Sequence, residues 1–161
     1  MSSPSKAKKA PAVAPEVAVS PPAIYVLSKQ SPRSLNLAIK LTTTTSLATV
    51  SVSALLDSGA TGNFVSPEFV RRHRLETTPL PQPVPVRNVD GTPNENGAIT
   101  EELEALLTFG RHTERARFAV ANLGWQSLII GHSWLLHHNL EVDWVQQKVV
   151  MSRCPSSCRS P

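Results

Sequence analysis

Apolar and polar residues alternate along Leu35-Asn36-Leu37-Ala38-Ile39-Lys40-Leu41, the period of a strand with one buried face. The same period, rich in β-branched residues, runs through Leu47-Ala48-Thr49-Val50-Ser51-Val52-Ser53. Thr42-Thr43-Thr44-Thr45 lies between the two runs and is expected to form the hairpin turn. The second run continues through Ala54-Leu55-Leu56 into Asp57-Ser58-Gly59-Ala60-Thr61. Further on, Ser66-Pro67-Glu68 has the chemistry of a helix start: a capping hydroxyl, a first-turn proline and a first-turn acid. A short helix over Phe69 to Leu75 is predicted, with Arg71, Arg72, His73 and Arg74 as a solvated face.

The alternate prolines of Pro79-Leu80-Pro81-Gln82-Pro83-Val84-Pro85 forbid a central strand and favour an extended connection. Val84 to Val89 and Ala98 to Phe109 flank Asp90-Gly91-Thr92-Pro93-Asn94-Glu95-Asn96-Gly97, a hairpin by its turn chemistry. Arg111-His112-Thr113 reads as the next turn, and Glu114 to Asn122 as the strand after it. Leu128-Ile129-Ile130 is a short apolar strand running into Gly131, with a helix beyond it. Val145 to Met151 is the last strand expected, and Ala23 to Leu27 the first. Such a series predicts a mainly β fold: a small closed barrel with one short helix and one C-terminal helix.

The chain has 161 residues, 40% of them hydrophobic, which suits one domain with tails. Residues 1–23 are rich in Pro, Ala, Ser and Lys without periodicity and are expected to be a disordered basic linker. Residues 24–151 form the folded domain and 152–161 a flexible tail. No apolar run approaches the ~20 residues of a membrane span, and the first residues lack the apolar middle of a signal peptide. The net charge of +4 first suggests nucleic acid, but its location argues otherwise. Lys6, Lys8, Lys9, Lys29 and Arg33 face only Glu16 among the first 34 residues, so basic and acidic residues balance in the rest. Any contact with RNA is expected to be weak and confined to that segment.

Cysteine and histidine add little chemistry at this level. Cys154 and Cys158 are too few for a disulfide framework, and Cys-x-x-x-Cys without further Cys or His is a poor zinc site. They read as tail thiols in a reducing compartment, the cytoplasm. His132, His137 and His138 lack the Glu of a zincin pair and read as helix and loop packing. No metal and no cofactor are expected.

Asp57 carries the candidate chemistry. A carboxylate straight after Leu55 and Leu56 sits where water is scarce, and its proton affinity then depends on its neighbours. Gly59 permits a tight turn and leaves room for something to approach. Ser58 and Thr61 are short hydroxyls able to bond the loop and hold the carboxylate. Asp90 is the other carboxylate in a loop, but Asp-Gly is the commonest hairpin dipeptide and it reads as structural. Glu101, Glu102 and Glu104 read as exposed charge, and Asp143 as a turn or strand-end residue.

Leu-Leu-Asp-Ser-Gly-Ala-Thr at 55–61 resembles the active-site loop of the retroviral-type aspartic proteases, the retropepsins, above all those of gypsy-type LTR retrotransposons. The resemblance extends to a second anchor about seventy residues on: Leu128-Ile129-Ile130-Gly131, then Trp134-Leu135, His138-Asn139 and Val142-Asp143-Trp144. It spans roughly residues 24–151. It implies Asp57 as the catalytic group, with Ser58 cross-linking two loops and the backbone of Gly59, with Ala60 and Thr61, holding substrate. The hairpin carrying Asp90, Gly91, Thr92 and Gly97 would be the flap. Ile129, Ile130 and Gly131 would form a substrate wall, and Asn63-Phe64-Val65-Ser66 would pack under the site. Ser127 stands where the family often has an acid, and Leu140 where it often has proline. His132 stands where retroviral members usually carry an arginine used in a subunit-joining ion pair, so that pair would be weaker or pH-dependent.

Carboxylate-driven peptide hydrolysis needs two carboxyl groups, one ionised and one protonated. The chain has one Asp-Ser-Gly, so the resemblance implies a homodimer with Asp57 from each subunit on the two-fold axis. The expected function is an aspartic endopeptidase acting on extended segments of a Gag-Pol polyprotein, in a virus-like particle or polyprotein context. The competing class is a catalytically silent relative, retained as a dimerisation or peptide-binding module.

Overall fold

The computed structural model describes residues 34–158 apart from 89 and 96. The linker expected over 1–23 and the strand expected over 23–27 lie outside the described residues.

Alternation becomes structure first in β1 (Asn36–Thr43), where Leu37, Ile39, Leu41 and Thr43 are buried and the residues between them face outward. It pairs antiparallel with β2 (Thr49–Asp57) in unbroken register from Asn36 opposite Leu55 to Thr42 opposite Thr49. The turn between them comes later than the four threonines suggested. Thr42 and Thr43 stay in the strand, and the reversal uses residues 44–46 with Leu47 at a φ of 56°. Thr43 is kept in place because its hydroxyl bonds Ser46 Oγ at 2.7 Å and accepts from the Ala48 amide at 3.2 Å.

The chain then forms β3 (Phe64–Val65), α1 (Pro67–Arg72), β4 (Thr78–Val84), β5 (Ile99–Phe109), β6 (His112–Val120), β7 (Leu128–Gly131), α2 (His132–His138), β8 (Glu141–Asp143) and β9 (Lys148–Val150). Ser66 caps α1 as its chemistry predicts, with its Oγ accepting from the Phe69 amide at 3.1 Å. Phe69 is the buried residue of that helix, and its arginines face solvent. β4, the proline-rich segment, joins the sheet only at its edge, meeting β5 at Thr78, Pro79 and Val84. The turn expected at 111–113 is tighter than that. Gly110 and Arg111 alone reverse the chain, and His112 is the first residue of β6, buried at 4% exposure.

Strand order closes the barrel. Going round, β1 pairs with β2, β2 with β7, β7 with β3, β3 with β6, β6 with β5, and β5 returns to β1. β5 serves two neighbours on one side, with Ile99–Glu102 meeting β4 and Ala105–Thr108 meeting β1. Closure leaves the six ring strands no free edge and buries one face of each. Leu37, Ile39, Leu41, Leu103, Leu107, Phe118, Leu128 and Ile130 fill it at 3% exposure or less. Each contributes about 1.5–3 kcal/mol of burial. Outward-facing charge on β5 and β6 is paired across the strands, with Glu104 bonding Arg115 at 3.0 Å and Arg117 at 3.2 Å. The fold is thus mainly β with one short helix and one C-terminal helix. No helix among the described residues is long and apolar enough to cross a membrane.

Candidate functional site

β2 and β7 run parallel and end together, with Leu56 beside Ile130 and Asp57 beside Gly131. The chain leaves β2 at Asp57 as a tight loop and leaves β7 at Gly131 directly into α2. That loop is fastened in two ways. Asp57 Oδ1 accepts from the Gly59 amide at 2.8 Å, and Asp57 O from the Ala60 amide at 3.2 Å. Ala60 O and Thr61 O then accept from the first amides of α2, those of His132 at 2.7 Å and Ser133 at 3.2 Å. Loop carbonyls therefore satisfy donors that a helix start leaves over.

Gly131 makes this docking possible. A Cβ there would lie 2.0 Å from Gly62 O and 2.7 Å from Ala60 O, distances that no packed side chain tolerates. Its amide is held by Asn63 Oδ1 at 3.1 Å. Asn63 was visible in the sequence only as part of the segment after the loop, yet it bridges the two anchors.

In front of the loop lies a cavity of about 1030 Å³. Gly59, Ala60 and Thr61 form one side, with Ile129 and Phe64 beside them. Val84–Arg87 and Gly97–Glu101, the two limbs of the hairpin, form the other. Pro67, Val70 and Arg71 of α1 and the 120–123 segment complete it, and these were not among the expected site residues. Their sequence signals are those of capping and packing, so only the fold assigns them to the cavity.

The expected substrate wall divides. Leu128 and Ile130 turn into the core at 0% exposure, whereas Ile129, between them, turns to the cavity. Ile130 is therefore a core residue and Gly131 a backbone seat, and of the three only Ile129 offers a wall. A four-residue strand buried on both faces is apolar throughout, so its sequence does not reveal which parity faces which side.

The hairpin tip holds itself together. Asp90 Oδ1 accepts from the Thr92 amide at 2.9 Å and from the Thr92 hydroxyl at 2.7 Å. Those bonds hold its carboxyl below the usual carboxylate range. Arg87 donates to Gly91 O at 3.0 Å, and Arg87 and Pro93 form an isolated bridge. Gly91 and Gly97 adopt φ values of 84° and 82°, the left-handed region where glycine is favoured. Asp90, Gly91 and Thr92 thus shape the tip, and Gly97 lies on the cavity side. Asp143 is a turn residue, its Oδ1 accepting from the Val145 and Gln146 amides at 3.0 and 2.8 Å.

A second cluster lies away from this cavity, where the sequence promised only tail thiols and packing histidines. His112 at the start of β6 and His138 at the end of α2 are both buried, and Cys154 and Cys158 fold back against them. One ligand atom from each of the four lies within 4.8 Å of all the others. The expectation of no metal-ligand set assumed a cysteine pair without histidine; the fold supplies two. His138 and Trp134 are packed edge to face, and the Trp134 indole N–H donates to Glu114 Oε1. Burial, above all, lowers the His138 pKa from its ordinary value.

Residues 53–158 match the family model described as the PEG10/RTL1 protease domain. Among solved structures, the chain is similar to the retroviral protease-like domain of Ddi1 from Leishmania major. That match has 17% identity and a TM-score of 0.49 and covers 77% of this chain and 96% of the other. It is also similar to the EIAV protease complexed with the inhibitor HBY-793, at 15% identity and a TM-score of 0.48, covering 74% and 97%.

Proposed function

The chain belongs to the PEG10/RTL1 protease-domain family, a retropepsin-like family, and from that premise we propose that it is an aspartic endopeptidase active as a homodimer. The observation that carries the reading is the Asp57 loop itself. One carboxylate is fixed by its own loop amide, and Gly59, Ala60 and Thr61 of that loop line a cavity bounded by a hairpin.

A single carboxyl group cannot both activate water and polarise a carbonyl. Two Asp57 side chains meeting on a two-fold axis supply both roles. At close range they cannot both ionise, so they share a proton, and the resulting titration belongs to the pair. The ionised member takes a proton from water as its oxygen attacks the scissile carbonyl carbon. The protonated member hydrogen-bonds the carbonyl oxygen and stabilises the charge developing there. In that dimer exposed Ser58 would bond the partner loop, and hairpin 84–101 would close over an extended peptide. Gag-type polyprotein segments of a retrotransposon, presented in the cytoplasm or in an assembling particle, are the proposed substrates.

The test is peptide cleavage by the purified chain on a Gag-type substrate, with and without pepstatin, at about pH 5 and about pH 7. Pepstatin-sensitive cleavage, faster on the acidic side, is expected. Asp57→Asn should lose ~10²–10⁴-fold or more in rate while keeping the wild-type circular dichroism and melting curve. A folded Asp57→Asn protein that still cleaves would refute the assignment. Inhibitor binding without any turnover would instead identify a silent peptide-binding relative.

A further inference from the structure

We propose that His112, His138, Cys154 and Cys158 form a structural zinc(II) site that fastens the C-terminal segment to the barrel. The donors are two imidazole nitrogens and two sulfurs, the set that tetrahedral zinc takes in closed structural sites. Cys154 Sγ lies 3.3 Å from His112 Nδ1 and 3.9 Å from His138 Nδ1, and Cys158 Sγ lies 3.9 Å from the same His138 nitrogen. Bonds of roughly 2.0–2.3 Å at tetrahedral angles place neighbouring ligands ~3.3–3.8 Å apart. The three sulfur–nitrogen pairs are within a few tenths of an ångström of that spacing, and the widest separation in the set, up to 4.8 Å, closes by about 1 Å around an ion.

Imidazole orientation agrees. Both rings turn Nδ1 toward the sulfurs and Nε2 toward one carboxylate. Glu114 Oε1 lies 2.9 Å from His138 Nε2 and 3.5 Å from His112 Nε2. A proton on His138 Nε2, held by Glu114, and one on His112 Nε2, facing the same carboxylate, leave each Nδ1 lone pair free to bind metal. This is the carboxylate–histidine–metal arrangement that fixes ring tautomer and raises ligand basicity. His112 Nε2 is buried without a hydrogen-bond partner among the described residues, and the stronger polarisation of a metal-bound ring would draw it onto Glu114. The Trp134 indole braces the same oxygen from the other side.

Binding releases the two thiol protons to solvent and leaves two thiolates, two neutral imidazoles and Zn²⁺, with no net charge. A hollow of about 510 Å³, bordered by Thr113, Glu114, His137 and Cys158, opens beside the cluster at Cys158.

The full chain, purified with its thiols reduced, should contain one zinc per chain by elemental analysis and native mass spectrometry. Cobalt(II) in place of zinc should show tetrahedral d–d bands and a sulfur-to-cobalt charge-transfer band. The double variant Cys154→Ser/Cys158→Ser should lose the metal and both spectral features. Glu114→Gln should bind zinc ~10–100-fold more weakly. Asp57→Asn should keep zinc in full, which separates this site from the proteolytic reading. Wild-type protein that takes up no zinc or cobalt while both thiols titrate as free would overturn the proposal. So would a Cys154–Cys158 disulfide that persists under reducing conditions, or full metal retention in the double cysteine variant.

Discussion

The Asp57 loop can be read in the sequence because what shapes it is local. The apolar pair before it, the small residues after it and the loop hydrogen bonds all lie within a few positions. Gly131 was legible as an anchor, but its reason was not, since the atoms that forbid a side chain belong to residues 60 and 62. That reason makes a sharp prediction. Gly131→Ala places a methyl group against the Gly62 carbonyl and must push the Asp57 loop off the start of α2. A loss of about 3 kcal/mol, or failure to fold, is expected. Gly62→Ala is the control, because a Cβ there meets nothing within 4 Å. It should cost no more than ~0.5 kcal/mol. Denaturant midpoints of the two variants decide the matter, and equal destabilisation would show that the close approach is not what selects glycine.

At the scale of elements, strands with one wet face were the readable ones. β1 displays its burial as strict alternation, and the α1 start displays its cap. Errors fell where a neighbouring element decides. Thr42 and Thr43 look like turn residues until β5 pairs beside them, and His112 looks like one until Trp134 and His138 of α2 pack against it. The cap is open to a direct test. Ser66 is buried, and its Oγ satisfies the Phe69 amide, so Ser66→Ala should cost about 1 kcal/mol. Ser66→Thr, which keeps the acceptor oxygen, should recover most of it. Thermal melts of both variants give the answer, and an unchanged midpoint for Ser66→Ala would mean that Pro67 and packing of Phe69 alone define the helix start.

For the whole molecule, what stayed hidden was whatever the barrel assembles from distant positions. Residues 112, 138, 154 and 158 are unremarkable alone and come together only when β6, α2 and the C-terminal segment meet. Glu114 likewise gains meaning from what packs on it. The cavity has the same character, since Val70 of α1 and Leu123 reach it only through closure of the ring. A dimer is one level further out, and its stoichiometry can be read from activity. If each active unit needs an Asp57 from both subunits, inactive Asp57→Asn chains must poison active ones. Equal mixing with time for exchange leaves about a quarter of the dimers fully wild type, because both partners are drawn from the same pool. Activity per wild-type chain should therefore fall to about half of its unmixed value, and further as the variant is added in excess. It should also fall on simple dilution, as dimers dissociate by mass action. Activity per wild-type chain that stays constant through both titrations would mean that one chain suffices, and a lone Asp57 would then need a chemical role other than half of a dyad.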